Sequence, residues 1–262
     1  MEKLILEDLT ISYQDEGTGY PLVLIHGLGS DHTIWDGLIP LLNDYYHVLA
    51  PDIRGSGQSS KTAGPYSVEL FSHDIFKFLE TLDIDQAHFI GHSMGGAILL
   101  QLALDHPEKV RSLTLISSFS YVDTHLYELF NQLLIITKNQ GYSSFFDRAL
   151  ELANTPEFLE ENKEFIATAK AVMVKNASTP PLIDSIEACL QVDFSNSLKS
   201  IKAPTLVISG SQDLFTPPHH AQAIYNSIQD SHCFKIYNTG HNLLVEKPDK
   251  TAKIIKNFLN NL

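Results

Sequence analysis

Three residues of this chain have the types and settings that nucleophilic catalysis needs. Ser93 lies in Gly91-His92-Ser93-Met94-Gly95, a G-x-S-x-G pentapeptide. It stands between an apolar run of strand length, Ala87 to Ile90, and a segment rich in helix formers, Ala97 to Leu104. A serine at the tip of so tight a turn has strained backbone angles, and the flanking glycines let strand and helix pass closely. A hydroxyl is a poor nucleophile near neutral pH. It needs a base to take its proton and a carboxylate to orient that base. Asp213 follows the apolar run Leu206–Ser209, within Gly210-Ser211-Gln212-Asp213. His241 follows Cys233–Tyr237, within Asn238-Thr239-Gly240-His241-Asn242. Ser, then Asp, then His is one of the chain orders in which this chemistry occurs.

These residues can meet only if their strands lie side by side and point the same way. Leu4–Leu6 and Leu9–Tyr13 read as two short antiparallel strands, followed by a turn cluster, Asp15-Glu16-Gly17-Thr18-Gly19. Pro21–Ile25, Tyr46–Ala50, Ala87–Ile90, Leu113–Ile116, Leu206–Ser209 and Cys233–Tyr237 are strand candidates, several of them apolar throughout, as in strands buried on both faces. Helical spacing covers Thr33–Leu42, Val68–Leu82, Ser93–Asp105, Pro218–Ser227 and about Glu246–Leu259. Such alternation predicts an α/β architecture, a mostly parallel sheet flanked by helices. Ser93, Asp213 and His241 then each follow the C-terminal end of a separate strand, on one edge of the sheet. From Ser120 to about Ser195 the alternation gives way to a mostly helical, aromatic-rich stretch. The expected division is a core of residues 1–119 and 196–262 with a helical insertion at 120–195.

Composition narrows the partners. The chain carries 18 basic and 31 acidic residues, a formal charge of −13, which speaks against nucleic acid or an anionic membrane as partner. No stretch approaches the length of a membrane span, and the charged N-terminus is unlike a signal peptide. Cys189 and Cys233 form no C-x-x-C pair and no disulfide framework, so the expectation is a cytoplasmic protein. Neither a dinucleotide fingerprint nor a phosphate-binding G-K-[ST] occurs where it would have meaning. No cofactor and no metal are called for. His219-His220 has metal-like spacing but no Cys or carboxylate cluster near it in sequence, and reads as a surface pair at a helix start.

Taken together the chain resembles the α/β-hydrolase family over nearly its whole length. His26-Gly27-Leu28-Gly29 is similar to that family's oxyanion loop, and the resemblance implies that the backbone N–H groups of Leu28 and Met94 form the oxyanion hole. Asp52-Ile53-Arg54-Gly55-Ser56-Gly57-Gln58-Ser59 is similar to its D-x-R-G-x-G-x-S loop, a structural feature more than a chemical one. The acid and histidine turns match at Asp213 and Gly240-His241. The resemblance implies the α/β-hydrolase fold with a mostly parallel eight-stranded sheet, the helical insertion serving as a cap over the site. Members that use an Asp nucleophile, dehalogenases and epoxide hydrolases, are set aside by Ser93. Hydroxynitrile lyases have a Lys after the histidine, where this chain has Asn242.

His32 and His92 are candidates for the substrate pocket, although the plainer reading of His92 packs it under the elbow with a local hydrogen bond. His26 is expected to order its loop. Asp123 is a fallback acid. The reaction expected is hydrolysis of a carboxylic ester of a small, largely apolar molecule through an acyl-enzyme. The D-x-R-G-x-G-x-S segment with Gly64-Pro65-Tyr66-Ser67 also looks like the 3-oxoadipate enol-lactonase branch, whose substrate is a small anionic lactone. Arg148 is the only arginine between Ser120 and Ser195, which weakens that alternative. Carbon–carbon bond hydrolysis is a further alternative, and a small-molecule binder without turnover is the reading from another class.

Overall fold

In the computed structural model, which describes residues 1–262, eight strands form one sheet. They are β1 (Glu2–Ile5), β2 (Thr10–Glu16), β3 (Tyr20–Ile25), β4 (Tyr46–Pro51), β5 (Ala87–His92), β6 (Val110–Ile116), β7 (Thr205–Gly210) and β8 (Ser231–Ile236). Their order is β1-β2-β4-β3-β5-β6-β7-β8. β2 runs antiparallel to both its neighbours, and every pair from β4 to β8 is parallel. This is the α/β-hydrolase fold.

Period-two alternation explains why the central strands are apolar throughout. Val23, Ile25, Leu113, Leu115 and Val207 pack into the larger hydrophobic core on one face. Leu22, Leu24, Ile116, Leu206 and Ile208 pack into the smaller core on the other. The helices that cover the sheet are α1 (Val68–Thr81), α2 (Met94–Asp105), α7 (Pro218–Ser227), α8 (Leu243–Glu246) and α9 (Pro248–Leu259). Ser67 caps α1 by accepting from the Leu70 N–H at 3.1 Å.

Between β6 and β7 lie four consecutive helices: α3 (Thr124–Ala153), α4 (Pro156–Glu161), α5 (Lys163–Asn176) and α6 (Thr179–Cys189). Gly141, with φ 77°, breaks α3 into two lengths. The chain enters and leaves this segment side by side: Tyr121 bridges Asp193, the Val122 N–H donates to the Val192 carbonyl at 3.1 Å, and the Phe194 N–H to the Ser120 carbonyl at 2.7 Å.

Three local expectations are corrected. Thr33–Leu42 is two short 3-10 turns, His32–Trp35 and Ile39–Leu41, because Pro40 cannot donate within a continuous helix. Its Trp35, Leu38 and Leu42 are nonetheless buried, so the apolar spacing marked core contacts and not a helix. β2 runs through Asp15 and Glu16 by pairing with β4, and the chain turns only at Gly17. The C-terminal helix is broken at Lys247, ahead of Pro248.

Candidate active site

The register of the parallel strands places the loops after β3, β5, β7 and β8 at one edge: Ile25 pairs with Gly91, His92 with Ile116, Ile116 with Ile208, and Gly210 with Ile236. Ser93 is the single residue between β5 and α2, at φ 53° and ψ −119°, a region a non-glycine residue occupies only under constraint. The constraint is visible. Its N–H donates to the Ile116 carbonyl at 2.9 Å, and its carbonyl accepts from Ser118 Oγ at 2.9 Å. A Cβ on Gly95 would lie 2.1 Å from the Ile25 carbonyl oxygen, so only glycine lets α2 pass this close to β3.

The acid and the histidine are held as tightly. Asp213 Oδ1 accepts from the Phe215 and Thr216 N–H groups at 2.9 and 2.8 Å, and Oδ2 lies 2.9 Å from Thr216 Oγ1. The carboxylate then faces His241 Nδ1 at 2.9 Å through Oδ2 and 3.1 Å through Oδ1. An ionised carboxylate only accepts, so Nδ1 carries the proton and Nε2 presents a lone pair. The Phe215 ring stacks on the imidazole, centroids 4.9 Å apart. Asp213 and His241 are buried.

The glycine-rich loop after β3 is fixed by its carbonyls. The Ser30 N–H closes a turn onto the Gly27 carbonyl at 3.3 Å, with Gly29 at φ 65° in the third position, a conformation that favours glycine. The Ile53 N–H donates to His26 Nε2 at 3.1 Å, so the proton of His26 sits on Nδ1 and is donated to the same Gly27 carbonyl at 2.9 Å. His26 thus orders its loop, and burial pushes its pKa down. The Gly27–Leu28 peptide is held by its oxygen, and the Leu28 N–H on its opposite side donates to no protein group. Met94 opens α2, where N–H groups have no intrahelical acceptor.

Ser93, His241, Leu28 and His92 line one cavity of about 190 Å³. Its roof comes from the second length of α3 (Phe145, Phe146, Ala149) and from Phe158, Phe165 and Met173 of α4 and α5. No Lys, Arg, Asp or Glu lines it.

The other candidates fall as follows. His92 reaches the cavity wall beside Ser93. Its Nε2 donates to the His241 carbonyl at 3.2 Å, its Nδ1 has no hydrogen-bond partner, and burial pushes its pKa down to about 3. His32 lies outside the cavity lining. Its backbone N–H and ring Nδ1 both bond Asp52 Oδ1 at 2.8 Å; burial opposes its charge, but Asp52 outweighs burial and raises its pKa. Asp52 also accepts the Gln58 N–H, and Arg54 pairs with buried Asp74, so this loop is structural. Asp123 caps α3 and bonds His219, and it is Asp213 that bonds His241. His220 is fully buried, not a surface residue.

Sequence reasoning passed over Thr216 and Tyr142. Thr216 had a signal, a hydroxyl three residues after an Asp in a turn. Tyr142 donates to the Gly29 carbonyl from the insertion, a contact with no local signature.

Residues 20–248 match the alpha/beta hydrolase fold family, and this protein belongs to it. The chain is 27% identical over 252 residues to a protein of Azorhizobium caulinodans named carbamate hydrolase RutD, covering 96% of this chain and 95% of that one. It is 28% identical over 265 residues to the pyrrolizixenacetamide deacetylase of Xenorhabdus hominickii, covering 99% and 98%. Among solved structures, the enol-lactonase of Burkholderia xenovorans LB400 superposes with a TM-score of 0.93 at 25% identity, covering 99% of this chain and all of that one. No helix is long and apolar enough to cross a membrane.

Proposed function

We propose that this hydrolase cleaves esters of small, neutral, apolar acids, with Ser93 as nucleophile, His241 as base and Asp213 as its orienting acid. The observation that carries this reading is the cavity holding Ser93 and His241, which is apolar and has no charged side chain in its wall. In the proposed cycle His241 Nε2 takes the proton of Ser93 Oγ as it attacks the carbonyl. The tetrahedral oxyanion is held by the Leu28 and Met94 N–H groups. His241 returns the proton to the leaving alcohol, and water, activated by the same imidazole, releases the acid. Asp213 keeps the Nδ1 proton in place throughout.

The same reading makes residues 120–195 a cap over a core of 1–119 and 196–262, and places the protein in the cytoplasm, in keeping with two free cysteines. The uncharged wall disfavours a small anionic enol-lactone, which calls for a cation. The relatives named for carbamate hydrolysis and amide deacetylation favour a second reading, a neutral acyl–nitrogen substrate cut by the same steps.

Initial rates on p-nitrophenyl acetate, butyrate and octanoate, an aryl acetamide, a carbamate and one enol-lactone test the proposal, with Ser93→Ala alongside. Turnover of a neutral ester, falling by about 10⁴-fold or more in the variant, is expected. Equal background rates in both proteins would make it a binder. Preference for the acetamide or carbamate would select the second reading.

A further inference from the structure

The pair His219-His220 opens α7, six and seven residues beyond Asp213. Across from it stands Asp123, the N-cap of α3. Asp123 Oδ2 lies 2.9 Å from His219 Nε2 and 3.5 Å from His220 Nε2. The donor atoms of a tetrahedral ion with bonds near 2.0–2.1 Å stand about 3.3 Å apart; the two carboxylate–imidazole separations bracket that edge, and all three ligand atoms lie within 4.8 Å of one another. Asp123 Oδ1 is occupied by the Leu126 N–H at 2.9 Å, which leaves Oδ2 to face the histidines. His220 is fully buried, and neither of its ring nitrogens has a hydrogen-bond partner. A buried polar group without a partner is costly and calls for an explanation.

We propose that Asp123, His219 and His220 bind one divalent transition-metal ion of borderline softness, of which zinc is the type. Two imidazoles and a carboxylate suit that class, and half-exposed His219 leaves the fourth position open to solvent. Two helix N-termini oppose a cation here. That opposition is weak beside three ligand bonds and is offset by the Asp123 charge. None of the three residues lines the cavity that holds Ser93, so the ion takes no part in hydrolysis. It bolts the start of the four-helix segment to the helix that follows the Asp213 loop. His125 Nε2, 3.0 Å from the Leu214 carbonyl, already bridges the same two parts.

The untagged, chelator-stripped full chain is titrated with Zn²⁺ by calorimetry and with Co²⁺ by visible absorption, and Tm is read with Zn²⁺ and with Mg²⁺. One equivalent, a tetrahedral cobalt spectrum, and a Tm raised by Zn²⁺ but not by Mg²⁺ are expected. Asp123→Asn, which retains a good helix cap, and His219→Ala, at an exposed position, are expected to fold and to bind about a hundredfold more weakly or worse. Absence of binding by the wild type overturns the proposal. So does an equivalent retained at full affinity in both variants, which would put the ion elsewhere. None of these readouts depends on hydrolysis, so they stand apart from the assignment of Ser93.

Discussion

The hydroxyl of Tyr142 donates to the main-chain carbonyl of Gly29 at 2.7 Å, joining positions 113 residues apart in the chain. Tyr142 is the first residue after the Gly141 break in α3, and Gly29 is part of the turn that presents the Leu28 N–H. Roof and turn are therefore tied by one half-buried bond. Tyr142→Phe removes it and leaves a carbonyl short of a partner, worth about 1.4 kcal/mol. The expected outcome is a roughly tenfold fall in kcat on a neutral ester with KM nearly unchanged. Steady-state kinetics beside a thermal melt would separate this from general loss of fold.

Asp213→Asn keeps the size of the side chain but reverses one hydrogen bond. Its oxygen can still accept from the Phe215 and Thr216 N–H groups, which leaves the amide facing His241 Nδ1. An amide N–H there favours a proton on Nε2, which in the proposed cycle could then not accept from Ser93. The expected fall in kcat is about 10⁴-fold. Thr216→Val removes a hydroxyl bonded to Asp213 and the Ser117 carbonyl, and a smaller fall, about tenfold, is expected. Equal losses in the two variants would mean that the tautomer is not what Asp213 controls.

Ala149 stands in the roof on the face that Phe145 and Phe146 share. Ala149→Phe fills much of a cavity of only about 190 Å³. Activity on p-nitrophenyl acetate is expected to survive while that on octanoate is lost. A chain-length series in wild type and variant measures it directly, and parallel loss on both esters would remove this wall from the acyl site.

Burial, with His241 beside it, lowers the pKa of His92 to about 3, and burial lowers that of His88 to about 4. In the unfolded chain both titrate near 6.5. Below that pH the unfolded state binds more protons than the folded one. Stability is therefore complete above 6.5 and falls as pH drops toward the folded values. His92 alone accounts for about 1.4 kcal/mol per pH unit within that window. Urea unfolding at pH 7, 6 and 5 should show the decline. His92→Gln, which still offers a donor to the His241 carbonyl, should make it shallower by about one proton. An unchanged slope would show that His92 is not neutral for the reason given.

Much of the fold was legible because its cause is local. Val68–Leu82 has its apolar residues on one side, and the helix observed, Val68–Thr81, buries Phe71, Ile75 and Phe78. The central strands announced themselves by burial on both faces, and the glycines around Ser93 by the crowding that Gly95 displays. What depended on distant pairing was not legible. The extent of β2 was set by β4, the tie from Tyr142 by a turn 113 residues away, and the burial of His220 by Asp123 and Tyr121 arriving from the insertion. Thr33–Leu42 failed for another reason: helical spacing and core contacts of tight turns look alike unless Pro40 is given its weight.

The uncharged wall of the cavity has one more consequence, for what happens after bond cleavage. Hydrolysis of a neutral ester turns a guest that fits an apolar chamber into an anion that does not. No Lys or Arg in the wall waits there to hold the carboxylate. Desolvation of the carboxylate then favours release of the acid. If the proposed neutral ester is the substrate, such a chamber empties itself after each cleavage, and accumulating product is expected to slow the next turnover little.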